Sequence, residues 1–151
     1  MERIIFCFAV LLVFGITQPA FAAQAPDIRD IRDIRAPVGM VYDGEGALYV
    51  AEWGAGRVSR FDASGARTVV ADGIRSPSGL AFDGNGTLYV ASYGDGGIYA
   101  LEPGKAPRRI ASGFASPTGM IWDGKALIVA NRNAGEVVRV FLDGKTEVIS
   151  R

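Results

Sequence analysis

Pro37-Val38-Gly39-Met40-Val41-Tyr42-Asp43-Gly44-Glu45-Gly46-Ala47-Leu48-Tyr49-Val50-Ala51 is a phrase that this chain spells three times. Forty residues on stands Pro77-Ser78-Gly79-Leu80-Ala81-Phe82-Asp83-Gly84, followed by Leu88-Tyr89-Val90-Ala91. The third version runs Pro117-Thr118-Gly119-Met120-Ile121-Trp122-Asp123-Gly124 and then Leu127-Ile128-Val129-Ala130. Units 35–74 and 75–114 agree at 15 of 40 positions without a gap, and unit 115–151 drops one residue in its first turn. Self-similarity at a fixed period of this length marks a repeat architecture and outranks any local assignment.

Each unit reads as four short strands. In the first they are 39–42, 48–52, 58–61 and 68–71, here called a to d. Asp43-Gly44-Glu45-Gly46 supplies the positive φ angles of a tight a–b hairpin, Gly54 and Gly56 separate b from c, and Asp62-Ala63-Ser64-Gly65 turns c into d. Nothing in 35–151 sustains a helical period. Four antiparallel strands in about 40 residues describe a β-propeller blade. The expected fold is therefore all-β, with three four-stranded antiparallel blades, strand a innermost and strand d outermost. Three blades do not close a ring, since propellers use four to eight, and an open edge invites pairing. Two arrangements follow: a longer propeller of which this is a part, or a homodimer closing a six-bladed ring.

Composition narrows the chemistry. Of 151 residues, 49 % are apolar and 21 % charged, and Lys plus Arg equals Asp plus Glu at 16 each. A neutral chain lacks the concentrated basic charge that tracks phosphates, so no nucleic-acid partner is expected. Histidine is absent, which removes histidine bases, the usual catalytic triads and imidazole-dependent zinc sites.

The first segment stands apart from the repeats. Ile4 to Ile16 is an apolar run of 13 residues, and Ala20-Phe21-Ala22 follows it. A short apolar run before an A-x-A site reads as a secretory signal peptide (1–22), cut after Ala22 or Ala23. It is too short for a membrane span, which needs about 20 residues. The single cysteine, Cys7, would leave with it, so the mature chain would be stabilised by packing without disulfides. The expected destination is secreted or periplasmic, with no membrane association after cleavage. In the leader 23–34, Asp-Ile-Arg recurs, and Ile28, Ile31 and Ile34 are either the anchors of an edge strand or clasp or part of a solvated lead-in.

Propellers bring their d–a and b–c connections to one face, around the central channel. That face gathers Val38, Ser78 and Thr118 from the P-x-G segments. From the ends of strands b it gathers Glu52-Trp53, Ser92-Tyr93 and Asn131-Arg132, with Asp95 nearby. Glu52, Ser92 and Asn131 either converge on a ligand or bond the backbone of a neighbouring loop. Trp53, Tyr93 and Arg132 vary between units and are either interface anchors, being of the kinds that serve as such, or half-buried packing residues. Asp43, Asp83 and Asp123 recur in every unit and are read as turn acceptors.

The spelling P-x-G, three apolar residues, D-G-x-G-x-L-Y-V-A, with Arg57-Val58-Ser59-Arg60-Phe61 following, resembles the NHL-repeat propellers. It is similar also to the six-bladed propellers of the gluconolactonase, regucalcin and strictosidine-synthase-like group, over all of 35–151. The resemblance specifies the fold more than the function. It implies, for the enzymes of the group, one divalent cation, commonly calcium, held by Asp and Asn in the x position and by a Glu on an inner strand. Here the x positions are Val38, Ser78 and Thr118, preceded at each proline by Ala36, Ser76 and Ser116. These supply none of the carboxylate charge that a hard cation prefers. No metal or other cofactor is expected, with Glu52 and Asn131 the candidates if a cation binds and Glu52 the one catalytic candidate. The expected function is an exported binding module for a protein, peptide or carbohydrate. The alternative is a gluconolactonase-like, metal-dependent hydrolase, complete only as a dimer or in a longer chain.

Overall fold

A computed structural model describes residues 31–151. The signal-peptide segment, Cys7 and Ile28 lie outside the described residues. Among the described residues twelve strands follow one another in three sheets. The first sheet holds β1 (Pro37–Tyr42), β2 (Leu48–Glu52), β3 (Arg57–Phe61) and β4 (Arg67–Ala71). The second holds β5 (Pro77–Phe82), β6 (Leu88–Ser92), β7 (Gly97–Leu101) and β8 (Arg108–Ala111). The third holds β9 (Pro117–Trp122), β10 (Leu127–Asn131), β11 (Glu136–Val140) and β12 (Thr146–Ser150). Every pairing is antiparallel, and within each sheet the strands lie in chain order. Among the described residues the only helical pieces are three-residue 3-10 turns, Trp53–Ala55 and Arg132–Ala134. Strand a starts two residues earlier than its apolar run suggests, because the proline and the x residue join the sheet across an irregularity in the a–b register.

Alternation along each strand sends side chains to two neighbours. In the middle blade Leu80, Leu88, Val90 and Leu101 face the first blade, where they meet Ala51, Val58, Ala71 and Ile74. Ala81, Tyr89, Ala91, Ile98 and Ala100 face the third, against Met120, Leu127, Val129 and Val140. Tyr49 meets Phe82 edge-on across the first junction, with ring centroids 5.1 Å apart. The innermost strands come closest. A Cβ on Gly39 would lie 1.9 Å from the Ser78 carbonyl oxygen, and one on Gly79 would lie 2.0 Å from that of Thr118. Only glycine permits this approach, which explains the last letter of P-x-G.

The recurring aspartates close the hairpins. Asp43 Oδ1 accepts the amides of Glu45 and Ala47 at 2.9 and 2.8 Å. Asp83 and Asp123 make the equivalent bonds in their own turns. Residues 31–36 form no strand. They hold to the first blade through Ile31 and Ile34, which pack on Leu48, Val50 and Phe61.

Candidate functional site

The ends of strands b lie beside the starts of strands a: Glu52 is opposite Pro37, Ser92 opposite Pro77 and Asn131 opposite Pro117. The d–a segments and b–c turns are joined there by backbone bonds. Trp53 N–H donates to the Ala36 carbonyl at 3.1 Å, Tyr93 N–H to Ser76 at 3.0 Å, and Asn133 N–H to Ala115 at 3.0 Å. Ala36, Ser76 and Ser116 have φ of 48°, 50° and 58°, a left-handed conformation costing on the order of 1 kcal/mol for a side-chain-bearing residue. Its recurrence before each proline is a constraint of the blade, which turns the Ala36 and Ser76 carbonyls toward the b–c turn.

Glu52, Ser92 and Asn131 are brought to equivalent places, and all three are buried. Each bonds the first residue of its unit. Glu52 Oε2 accepts from Arg35 N–H at 3.0 Å, Ser92 Oγ donates to the Arg75 carbonyl at 2.6 Å, and Asn131 Oδ1 accepts from Ala115 N–H at 2.7 Å. Glu52 carries much more. Its Oε1 accepts from Ser59 Oγ at 2.5 Å, from Arg57 Nε at 3.1 Å and from Arg67 Nη2, while Arg57 Nη2 reaches Oε2 at 3.2 Å. Burial by itself would raise the pKa of this carboxyl. The bonds from Arg57, Ser59 and the Arg35 amide, with the Arg67 charge, outweigh burial and hold it at about 2. A carboxylate this strongly held is a poor proton acceptor at neutral pH.

A smaller lattice stands in the second blade. Asp95 accepts from Tyr99 Oη at 2.6 Å, from Arg109 Nη2 at 2.7 Å and from Gly97 N–H at 3.0 Å. Burial opposes its ionisation, but these donors keep it below the ordinary aspartate value.

The residues that follow the polar trio form a row. The Trp53 and Tyr93 rings lie 4.6 Å apart between centroids, tilted by 53°. Arg132 Nη1 stands 3.5 Å from Tyr93 Oη. The Ser116 hydroxyl first, and then the Arg132 charge, hold the Tyr93 phenol below its usual pKa. Trp53 and Tyr93 are half-buried and Arg132 is exposed. The row thus joins two aromatic faces to a cation across three blades.

Strands a line a groove of about 330 Å³ that includes Val38, Met40, Ser78, Leu80, Thr118 and Met120. Ser78 Oγ reaches the carbonyls of Ala91 and Pro117 at 3.0 and 2.8 Å, and Thr118 Oγ1 that of Ala130 at 3.4 Å. A divalent cation fits this set poorly. Val38 has no donor atom, both hydroxyls already point at carbonyls, and the Glu52 oxygens are saturated by positive and N–H donors. Among the described residues no group of three or more His, Cys, Asp or Glu side chains is arranged to hold a metal ion.

Arg57, Arg67, Tyr99 and Arg109 are the site residues that sequence reasoning missed. The available signal was charge out of step with the repeat: Arg67 stands where the other two units carry Pro107 and Thr146, and Arg109 where the first and third carry Val69 and Val148.

Three stacked four-stranded sheets with their a strands inward are the blades of a β-propeller. Residues 15–94 match the family model described as the SMP-30/Gluconolactonase/LRE-like region, and the chain belongs to that family. No curated protein matches it. Among solved structures it is similar to a catalytically inactive virginiamycin B lyase from Staphylococcus aureus, crystallised with quinupristin (16 % identity, 77 % of this chain and 41 % of that chain, TM-score 0.66). It is similar also to a chain of the nidogen/laminin complex (18 % identity, 77 % and 48 %, TM-score 0.70). A third likeness is to the PQQ-bound aldose sugar dehydrogenase from Streptomyces coelicolor (16 % identity, 75 % and 49 %, TM-score 0.63). The chain spans less than half the length of each of these structures. Identities this low show the fold alone.

Proposed function

We propose that this chain acts as an exported binding module whose contact surface is the row Trp53, Tyr93 and Arg132, and whose ligand is a protein, peptide or carbohydrate. The observation that carries this reading is the continuity of the row: 4.6 Å between the two rings and 3.5 Å from Tyr93 Oη to Arg132 Nη1. Two aromatic faces beside a cation suit a ligand with an apolar or planar surface next to an oxygen-bearing group. The polar trio behind the row supports it from below, since each member fixes the backbone from which a blade starts. Export is inferred from the signal-peptide pattern of 1–22.

The family membership favours a second reading, a gluconolactonase-like hydrolase completed by further blades. The described residues weigh against placing its chemistry here, because the positions that would hold the cation are Val38, Ser78 and Thr118 and the Glu52 carboxylate is engaged by two guanidinium groups.

The test is a screen of the purified chain on a glycan array and a displayed-peptide library, repeated with Trp53→Ala and Arg132→Ala. The expected result is ligands whose affinity falls at least tenfold in both variants while the circular dichroism stays that of the parent. Ligands bound equally well by both variants would refute the row as the contact surface.

A further inference from the structure

At the opposite end of the blades from the ligand row, the first blade junction holds a hollow of about 460 Å³. It opens between strand β4 of the first blade and the c–d turn of the second. Tyr49, Val69 and Val70 line one side, and Phe82, Leu101 and Pro103 line the other. The Tyr49 and Phe82 rings meet edge to face there, and Val69 is 46 % exposed. Both walls are internal to the chain, each belonging to one of two adjoining blades.

The second junction closes the same place, and repeat register gives the reason. The equivalents of Val70, Phe82 and Glu102 are Ile110, Trp122 and Phe141, each of them larger. Ile110 and Trp122 pack against the buried cluster of that junction. The third blade's c–d turn comes so near that a Cβ on Gly144 would lie 2.8 Å from the Ile110 carbonyl oxygen. In the second blade, a Cβ on Gly104, the positive-φ glycine of the c–d turn, meets nothing within 4 Å. Proline explains part of this difference. Pro107 has no N–H to give the c–d ladder, so β8 starts only at Arg108, whereas β4 and β12 start one position earlier in register.

The hollow also gains a cation. Arg60 stands where the second blade carries Ala100. Its guanidinium lies over the Tyr49 ring, 6.0 Å from the centroid. The carboxylate it faces is that of Asp43, with Nε 3.8 Å from Oδ2, beyond hydrogen-bond reach. The other Asp43 oxygen already holds two amides of its own turn. Lys105 is the second cation of the lining and pairs with Glu102 on the same turn. That lysine side chain is 70 % exposed, and an exposed pair of this kind contributes little, so it yields readily to a competing anion. Two cations against one carboxylate thus line a hollow that is otherwise mainly apolar. Cavities of this size and make-up suit small organic ligands.

We propose that this hollow is a binding site for a small aromatic carboxylate. The ring lies between Val69 and Pro103 and packs on the Tyr49–Phe82 pair, which favours aromatic contact. The carboxylate accepts N–H bonds from Arg60, whose planar fork of donors matches it, and from Lys105. The site is separate from the row of Trp53, Tyr93 and Arg132, and neither requires the other.

The experiment is calorimetric titration of the full chain with naphthoate and with its neutral isostere naphthamide, beside methyl and indole NMR spectra. The expected result is saturable binding of naphthoate at one site, at least tenfold tighter than naphthamide, with the Val69, Val70 and Leu101 methyl resonances shifted. Arg60→Met should abolish the preference for the acid, and Arg60→Lys should keep part of it. Val69→Glu, at an exposed position, should weaken naphthoate at least tenfold with an unchanged circular dichroism spectrum. No saturable binding by the parent, or shifts confined to Met40, Met120 or the Trp53 indole, would overturn the proposal. An Arg60→Met variant that still prefers the acid tenfold would do the same.

Discussion

Replacing Glu52 by glutamine removes one charge and almost no volume, so it isolates what the carboxylate does for the first blade. In the parent, this group has its pKa lowered from 4.5 to about 2. Its charged form is therefore favoured by folding, and the linked stabilisation at neutral pH is about 3 kcal/mol. The sign follows from the direction of the shift. The stabilisation is complete above the unfolded value near 4.5 and is lost as pH falls toward 2. Glutamine keeps one oxygen, for Ser59 or for the Arg35 amide but not for both, and leaves Arg57 and Arg67 without their anion. Removing one partner of a buried ion pair costs about 3–5 kcal/mol. The two guanidinium-bearing side chains keep 26 % and 21 % of their surface in water, so the lower end applies. Urea titration of Glu52→Gln at pH 7 should give a loss of about 3 kcal/mol, with the slope of the transition unchanged. At pH 2 parent and variant should coincide. A loss that is the same at pH 7 and pH 2, or one below about 1 kcal/mol throughout, would refute the reasoning.

Other outcomes follow from the same geometry. Gly79→Ala places a methyl 2.0 Å from the Thr118 carbonyl oxygen, a clash with backbone that cannot rotate away. It should cost about 3 kcal/mol or more, read as a lowered urea midpoint, whereas a cost under 1 kcal/mol would mean that strands β5 and β9 do not approach as described. Asp83→Ala removes the acceptor of the Asn85 and Thr87 amides and of Tyr89 Oη and should cost about 1–3 kcal/mol. A variant as stable as the parent would deny the turn role. Mass spectrometry of the chain recovered from an exporting host should find an amino terminus at Ala23 or Gln24, and Met1 still attached would contradict cleavage.

The blades were legible in the sequence because their signals are local. Asp43-Gly44-Glu45-Gly46 closes its hairpin with atoms a few residues apart, and the alternation of Leu48-Tyr49-Val50-Ala51 states which side chains share a face. The purpose of P-x-G was not legible, since the atom that excludes a side chain at Gly39 is a carbonyl in the next blade. The same holds for Glu52. Its five donors come from residues 35, 57, 59 and 67, on three separate elements of one blade, and only the strand register decides that they converge. The row Trp53, Tyr93 and Arg132 could be located by repeat position. The contact between its rings depends on the angle between blades, which no single unit encodes.

Under the proposed function, this face of the propeller binds a ligand and does no chemistry of its own. The most direct measurement is hydrolysis of aldonolactones by the purified chain with calcium, zinc or manganese added, beside the Glu52→Gln variant at a temperature where both are folded. The account predicts no turnover above the uncatalysed rate for either protein with any of the metals. Metal-dependent turnover by the parent that disappears in Glu52→Gln would contradict it.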